Sequence, residues 1–563
     1  MRQWIYDNLN KSIIETIIEK RLGENISIED FLNPTLRDEK LLDTQKAVQI
    51  IKENLLQNKN IVIYGDYDCD GASSVAVLIK ALRLLSENPS TITYYTNNRF
   101  VDGYGMCEKG IDKLHKNGCD LIVTVDNGIA ALEAVEYAKS LGMQVVVTDH
   151  HEESIKGLPK ACAVVDPKRK DDSYPFKGIC GAGVAWKIMK EIVKEKEFNT
   201  KENIKYVDEL LDIVAMATIG DVVPLLDENR YIVKKGITKI KRKKPSLFFE
   251  TIREVTGVSA GSIDAQSIAF QFVPVINAAS RLIGDPALAI DCLIEEKDKE
   301  KIKEKMLKLK KVNDTRKEIT KEKMKVIDRS LDTSKNIIVV SAPNIGEGIV
   351  GLIAGKIKEK YNKPTIVFSE NGDKMTGSAR SIPGFNIKES FDRVSSFILK
   401  YGGHEMAAGL TVEKDQYKNF KKEIEKIGKE EVSKEMMKKK YVIDDVLEEH
   451  EVGFDLVGVL RKLEPYGQGF PPPLFKVKIN IEKVMYMGGD KDANGKTILD
   501  FDKVKHVKLK TRKFDVIIWN EAKRFYELGE PKQLQCLGVP SVNTFGGKVN
   551  VQFVIDNDNF IKS

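Results

Sequence analysis

In the first third of the chain, short β-branched runs alternate with longer segments whose apolar positions return every three or four residues. "IVIY" (61–64) precedes "SSVAVLIKALRLL", "LIVTV" (121–125) precedes "NGIAALEAVEYAKSLG", "QVVVT" (144–148) follows, and "ACAVV" (161–165) comes after. Wholly apolar runs between helical segments predict parallel βαβ units with both sheet faces covered. Residues 1–58 carry an amphipathic helical pattern broken at "FLNP" (31–34), and a helical segment near 205–218 leads into "TIGDVVP".

From 294 to 332 the pattern changes to a polar, charge-rich stretch without Pro or Gly, in which Ile302, Met306, Leu309 and Val312 recur at helical spacing. It predicts a long solvated helix between domains. A second α/β block follows, with "NIIVVSAP", a helix near 348–361, "KPTIVFS", "TGSARSI", "GGHEMAAG" before a small-residue helix, and a Lys/Glu-rich helix over roughly 414–440. From 441 onward β-type runs dominate ("LFKVKINIEKVMYM", "HVKLK", "FDVIIWN", "LQCLGVP", "KVNVQFVI"), separated by Gly-rich turns, as in a small barrel. The expected parts are therefore 1–58, 59–293, 294–332, 333–440 and 441–563.

Composition adds little. The 563 residues are 42% hydrophobic and 31% charged, with a net charge of only +6. This is a globular balance that does not by itself announce a nucleic-acid binder. Seven scattered cysteines without a CxxC argue against a disulfide framework or a zinc ribbon and suggest a reducing cytoplasm. The first twenty residues are too charged for a signal peptide, and no run approaches the length of a membrane span.

The chemistry concentrates at the ends of the predicted strands, where parallel sheets place their ligand sites. "GDYDCDG" sets Asp66, Asp68 and Asp70 at alternate positions behind the first run. Carboxylates about 5 Å apart repel by roughly 3 kcal/mol per pair at an effective dielectric near 20. Either the segment is an open, solvated acidic turn, or a cation sits among the acids. A calcium loop of the EF-hand type is excluded, because Val77 stands where its closing Glu belongs. Asp126 follows "LIVTV", Asp149 opens "DHH" (149–151) behind "VVVT", and Asp221 lies in "TIGDVVP". Together with imidazole these oxygens suffice for two hard divalent ions sharing one carboxylate. Adjacent His150 and His151 point in different directions, so one can ligate a metal while the other meets substrate. Cys69, inside the acidic motif, is expected to be a small buried hydrophobe.

These motifs, in the order "GDYDCDG", "VDNG", "TDHH" and "GD", resemble the DHH phosphoesterases, and "TGSARS" with "GGHEMAAG" resembles their companion DHHA1 domain. "FLNP", "NRFVDGYGM" (98–106), "NAASRL" (277–282), the inter-domain helix and "LEPYGQGFPPPLF" (463–475) narrow the resemblance to the RecJ family of single-stranded-DNA exonucleases. The resemblance implies an α/β architecture: a DHH parallel-sheet domain, a linker helix, a DHHA1 domain and a C-terminal barrel of the OB type. It implies metal binding by Asp68, Asp70, Asp126, His150 and Asp221, with Asp126 bridging two ions, Mn2+ or Mg2+. Some superfamily members carry a His four residues before the first of the paired acids. Tyr64 stands there in this chain, and Asp66 is the candidate substitute. His151 would contact the scissile phosphate and Asp149 would orient its neighbours.

On the substrate side, "GSARS" places Ser378 and Arg380 in a Gly-started turn, and Arg99 precedes the glycines of "DGYG". By resemblance these three residues grip the 5′-terminal phosphate side; Tyr104 is a further substrate-binding candidate, Arg281 would meet the backbone of the incoming strand, and His404 would contact a phosphate or a base. Lys476, Lys478, Lys508, Lys510 and Arg512, with Tyr486 and Phe514 nearby, would form a basic groove on the barrel, and Trp519 is assigned to its core. The expected activity is 5′→3′ degradation of single-stranded DNA to mononucleotides in repair and recombination. The chain would act as a cytoplasmic monomer without membrane contact, beside a single-strand-binding protein and a RecQ-type helicase. The rival expectations are a small-nucleotide phosphodiesterase (a nanoRNase or cyclic-dinucleotide hydrolase) and an inactive single-strand-binding scaffold.

Overall fold

The structure, a computed structural model, describes residues 12–23, 26–492, 497–545, 548–556 and 560–562. The first eleven residues of the expected N-terminal helical segment lie outside the described residues. The chain forms two compact units: one holds residues 37–223 and 232–440, the other the described residues up to Leu36, Pro224–Tyr231 and those from Tyr441 on. The segment expected as one N-terminal part is thus divided. α1 (Ile13–Leu22) and α2 (Ile28–Leu32) belong with the barrel, and α3 (Thr44–Leu56) belongs with the first sheet.

That sheet contains β1 (Ile61–Gly65), β2 (Ile92–Thr96), β3 (Leu121–Val125), β4 (Gln144–Thr148) and β5 (Ala163–Val165), in the order β2-β1-β3-β4-β5 and parallel throughout. The chain leaves β1 to one side for β2 and returns on the other side for β3. The topological switch point therefore lies between β1 and β3, where such sheets open a ligand crevice. α4 (Cys69–Leu85) follows β1 and is almost wholly buried, including Asp70, Ser73, Ser74 and Lys80 among its apolar residues. α7 (Gly181–Ile192) and α9 (Leu211–Gly220) pack beside it. A π-helical turn (Ile268–Phe272) leads into α13 (Val273–Leu282).

α15 (Lys299–Asp328) is the expected long helix, but it is not a solvated spacer. Ile302, Met306, Leu309, Asn313, Thr320 and Ile327 form a buried stripe, and the helix packs on α13 and on α11 (Leu247–Thr256). Its three- and four-residue apolar spacing was the sign of this packing.

The second sheet is mixed: β6 (Ile338–Pro343), β7 (Thr365–Asn371), β8 (Lys374–Arg380), β9 (Lys400–His404) and β10 (Ala407–Glu413), in the order β6-β7-β8-β10-β9. α16 (Glu347–Tyr361) covers one face through Ile338, Val340 and Val367. α18 (Tyr417–Glu431) covers the other through Ile337, Val339, Ile366 and Phe368. Two expectations fail here. "GSARS" is not a turn but part of β8, where Met375 and Ala379 point into the core and Ser378 and Arg380 point to the opposite face. "HEMAAG" leads into β10 rather than a helix, because Ala408 and Leu410 alternate into the same core.

In the other unit, β12 (Phe475–Asn480), β13 (Lys483–Met487), β14 (His506–Lys510), β15 (Asp515–Trp519), β16 (Gln533–Phe545) and β17 (Lys548–Asp556) build the expected β-domain. Arg230 is a hub of this unit. Its fully buried guanidinium donates to the carbonyls of Phe31, Leu463, Glu464 and Pro465 and lies 3.8 Å over the Phe31 ring. "FLNP" and "LEPYGQGF" are therefore linked structurally, since both supply carbonyls that satisfy one buried cation.

Candidate metal centre and strand-binding wall

The strand register assembles the acids. Gly65 pairs with Val125, Val125 with Thr148, and Thr148 with Val165, so the residues that follow, Asp66, Asp126, Asp149 and Asp166, leave four adjacent strands at one level. Asp70 joins them from the first turn of α4 and Asp221 from the end of α9. The turn after β1 is very tight: a Cβ at Gly71 would stand 2.6 Å from the Asp66 carbonyl, so only glycine fits. Gly181 is similarly constrained, since a Cβ there would meet that of Asp126 at 2.7 Å.

Backbone N–H groups hold most of these carboxylates in place. Asp68 caps α4, accepting from the N–H of Asp70 (2.9 Å) and Gly71 (3.1 Å). Asp70, fully buried, caps α7 by accepting from Gly181 (2.6 Å) and Ala182 (2.9 Å). Asp149 accepts from the N–H of Ile129 and His150 and from Nδ1 of His151 at 2.7 Å. His150 Nε2 lies 2.9 Å from Asp126, 3.6 Å from Asp70 and 3.7 Å from Asp221. Tyr104 donates to the Asp126 carbonyl and touches His151 Nδ1, both at 3.1 Å, which leaves the outer ring nitrogen of half-exposed His151 open to a ligand.

Three sets have ligand atoms within 4.8 Å of one another: Asp66, Asp68 and Asp126; Asp70, His150 and Asp221; and Asp126 with His150 and His151. The first two are adjacent triads, and Asp126 reaches both through its contact with His150. Among the described residues no Lys or Arg forms an ion pair with Asp66, Asp68, Asp70, Asp126 or Asp221. Burial and the charge of Asp68 push Asp70 up to about 6, and burial with Asp70 and Asp68 raises Asp221 to about 8. Burial, then neighbouring carboxylates, lift Asp66 and Asp126 well above the usual range. Burial also holds His150 neutral, down to about 3, the form that ligates metal. His151 differs: burial draws it down, but the Asp149 carboxylate more than reverses this and raises it to about 9. A preformed set of uncompensated oxygens around a neutral imidazole fits hard divalent cations.

Tyr64 does not belong to this set. Its hydroxyl donates to Asn97 Oδ1 at 2.7 Å and its ring packs in the core against Tyr95, so Asp66 completes the first triad. Cys69 is buried, as expected.

A basic wall adjoins the acids. The Arg99 guanidinium lies 4.8 Å over the ring of Tyr67, the residue between Asp66 and Asp68, and the main-chain N–H of Arg99 donates to the Gly284 carbonyl beyond α13. α16 starts against Arg281: a Cβ at Gly348 would stand 1.9 Å from the Arg281 carbonyl, and one at Gly351 would meet Arg380 at 2.9 Å and Ser378 at 3.1 Å. Arg380 donates to Ser378 Oγ at 3.0 Å. Burial, then the charges of Arg99, Arg316 and Arg380, lower Arg281 to about 10, opposed by Asp68. His404 is exposed and shares the row Arg380–Ala407–His404 across β8, β10 and β9.

Sequence reasoning missed Tyr67, Asp166 and Arg316. Asp166 is buried, raised to about 7 by burial and Asp149, and was findable as the residue ending a fourth β-run. Arg316, on α15, carries no sequence signal among so many charges.

The proposed barrel groove divides. Lys476 lines a recess with Ile443, Phe560 and Ile561, whereas Lys510 and Arg512 line another with His450, Phe454 and Lys513. Lys478 points outward from β12, and Lys508 is paired with Asp515 at 2.6 Å. Phe514 is buried, the Tyr486 hydroxyl is bound to Glu530, and Trp519, expected in the core, is 37% exposed with its ring against His506. It is the last residue of β15, whose Val516 and Ile518 belong to the barrel core.

A parallel sheet ending in a carboxylate–histidine cluster, joined to a second α/β domain that faces it with arginines, defines a DHH phosphoesterase. Family models agree: "DHH family, N-terminal domain" matches residues 60–218, "DHHA1 domain" 334–430 and "RecJ OB domain" 443–557. The chain belongs to the RecJ family. It is 32% identical over 544 residues to the single-stranded-DNA-specific exonuclease RecJ of Escherichia coli K12, covering 92% of this chain and 90% of that protein. It is 30% identical to that of Haemophilus influenzae Rd, covering 97% and 96%. Among solved structures, RecJ of Thermus thermophilus in complex with Mn2+ shares the fold at a TM-score of 0.80, with 24% identity over 98% of this chain and 76% of that one. An exonuclease RecJ bound to manganese matches at 0.60, with 26% identity over 70% of this chain and 96% of that one.

Proposed function

We propose that this chain degrades single-stranded DNA from its 5′ end, releasing mononucleotides by metal-dependent phosphodiester hydrolysis, in DNA repair and recombination. The observation that carries the reading is the junction at Tyr67: acids and arginines that form no Asp–Arg or Asp–Lys ion pair among the described residues meet on either side of one residue. A phosphodiester strand needs that polarity, cations at the reacting phosphate and guanidiniums at its neighbours.

Asp66, Asp68 and Asp126 would hold one Mn2+ or Mg2+, and Asp70, His150 and Asp221 a second. When bound, two such ions supply positive charge to the phosphoryl oxygens and make water a readier nucleophile. The chain's own part is positional. Asp149 keeps His151 protonated and fixes its Nδ1, so that the opposite ring nitrogen donates to a phosphoryl oxygen as charge builds there. Tyr104 braces that ring. Arg99, Ser378 and Arg380 form an end-stop for the terminal 5′ phosphate, and this sets the polarity. Arg281 and His404 contact the strand. Arg316 adds charge, and the uncapped start of α16 favours anions. The basic residues of the barrel, Lys476, Lys478, Lys508, Lys510 and Arg512, make sequence-independent contacts with a longer strand.

The chain supplies every residue of the site, so a monomer suffices. Among the described residues no helix is long and apolar enough to cross a membrane, and the seven cysteines are free, which supports a cytoplasmic location. Because the substrate must be unwound, a RecQ-type helicase and a single-strand-binding protein are the proposed partners. The test is digestion of 5′- and 3′-labelled 40-mers with Mn2+, Mg2+ or chelator. Immediate release of labelled mononucleotide from the 5′-labelled strand, abolished by chelator, is expected. Cleavage of dinucleotides with 40-mers left intact would overturn the reading.

A further inference from the structure

α18 covers the face of the second sheet opposite to the one that presents Ser378 and Arg380, so its outer surface lies away from the basic wall. Together with residues 334–336 it lines a groove containing Lys335, Lys418, Lys421, Lys422, Lys426 and Lys429. The acids nearby are Glu425, 3.7 Å from Lys335 and 3.8 Å from Lys421, and Asp332, whose carboxyl is held by Ser334. Lys418, Lys422, Lys426 and Lys429 are exposed and pair with no carboxylate among the described residues. Of the other acids on α18, Glu430 and Glu431 pair with Arg393, and Glu423 does not line the groove.

The four free lysines follow one another at intervals of three or four residues and form a single stripe. From Lys418 to Lys429, eleven helical rises carry it over about 16 Å. The groove lining contains no aromatic and no apolar anchor, since Phe420, Ile424 and Ile427 face the core. That composition selects the occupant. Protein interfaces are depleted in Lys and depend on buried aromatic or Arg anchors. Single-strand sites combine positive charge with stacking platforms, because unpaired bases need a partner. Duplex DNA already stacks its own bases and presents phosphates alone, which compact, mobile ammonium groups suit.

We propose that the α18 groove is a docking surface for the phosphate backbone of duplex DNA, the double-stranded portion from which the substrate strand emerges. The inference rests on the reading that a DNA strand is the substrate, and it adds a second contact remote from the cleft. The stripe would keep the enzyme on a tailed duplex while the tail occupies the cleft.

The test compares the full chain with a Lys418→Gln/Lys422→Gln/Lys426→Gln/Lys429→Gln variant and its Lys→Arg counterpart. Binding is measured in chelator on a duplex with a 5′ single-stranded tail and on the same tail alone. The Gln variant should lose about tenfold or more in affinity for the tailed duplex near 0.1 M salt, and its log K against log salt slope should flatten by about 3 to 4. The free tail should bind and, with Mn2+, be digested as by the parent, and the Arg variant should bind the tailed duplex normally. Equal loss on the free tail would overturn the duplex assignment in favour of a single-strand track. Unchanged tailed-duplex binding would overturn the site, as would polyglutamate binding that depends on these lysines while DNA affinity is kept. If the parent failed to digest the free tail, the proposed activity would fall instead, and the chelator measurements would still judge the docking surface.

Discussion

The acid wall and the basic wall of the cleft are built on opposite principles. Asp68, Asp70 and Asp149 are each fixed by two or more backbone N–H groups, and Asp66 and Asp126 lie beside glycines that admit no other residue. The arginines are loosely held: Arg99 rests on a tyrosine face, and Arg380 bonds to a hydroxyl and to its neighbour's carbonyl. The difference separates two demands. Ions and reacting atoms tolerate errors of a few tenths of an ångström, whereas a strand that advances after every cut needs contacts that let go.

The largest effect should come from breaking the rigid wall. Asp126→Asn removes charge from the centre of the cluster and should lower turnover by about a thousandfold or more, comparable to losing a principal electrostatic group. Single-strand affinity in chelator should stay within about twofold; a parallel loss of both would merge the two walls into one function. His151→Gln should cost about a hundredfold in turnover, the typical size of a general-acid contribution. In the parent enzyme activity should fall as pH rises and His151 loses its proton. That limb should lie below about 9, because bound cations offset the Asp66 and Asp221 charges that help raise it. A pH profile of the variant that kept the alkaline limb would remove His151 from the reaction.

On the loose wall, Arg380→Ala should cost about tenfold in strand affinity, as expected for one charge-assisted contact. The loss should be greater for a strand bearing a 5′ phosphate than for one bearing a 5′ hydroxyl. Equal losses would move Arg380 away from the terminal phosphate.

The smallest effect concerns stability. Asp70 and Asp221 titrate higher folded than unfolded, about 6 and 8 against an ordinary value near 4. The folded state therefore binds more protons between these values, and metal-free stability falls as pH rises from about 4 through 8. Calorimetry should show Mn2+ raising the melting temperature by several degrees at pH 8 and hardly at all at pH 5. A metal-free protein that grew more stable with rising pH would mean that the acids do not crowd one another.

Much of the rigid wall was legible in the chain because it depends on local order: an apolar run, then an acid, at Asp66, Asp126 and Asp149. The loose wall was less legible. Ser378 and Arg380 looked like a turn because Gly, Ser and Ala dominate β8, and only the core beneath Ala379 makes them a strand. Arg316 was hidden because solvated and buried charges on one long helix have the same composition. Phe514 and Trp519 exchanged their expected roles, since strand parity in the barrel is fixed by its pairing and not by residue type.

The ladder that aligns Gly65, Val125 and Thr148 has a consequence for ion choice. The roots of Asp66, Asp126 and Asp149 are separated by the strand pitch, about 4.8 Å, so main-chain hydrogen bonds, and not side-chain length, set the width of the cage. A larger ion such as calcium prefers longer bonds and more ligands, and hydrogen-bonded strands resist any widening of the gap between Asp66 and Asp126. The sheet thus fixes the spacing between Asp66 and Asp126, while Asp68, Asp70 and Asp221, carried by α4 and α9, complete the ligand field from outside it.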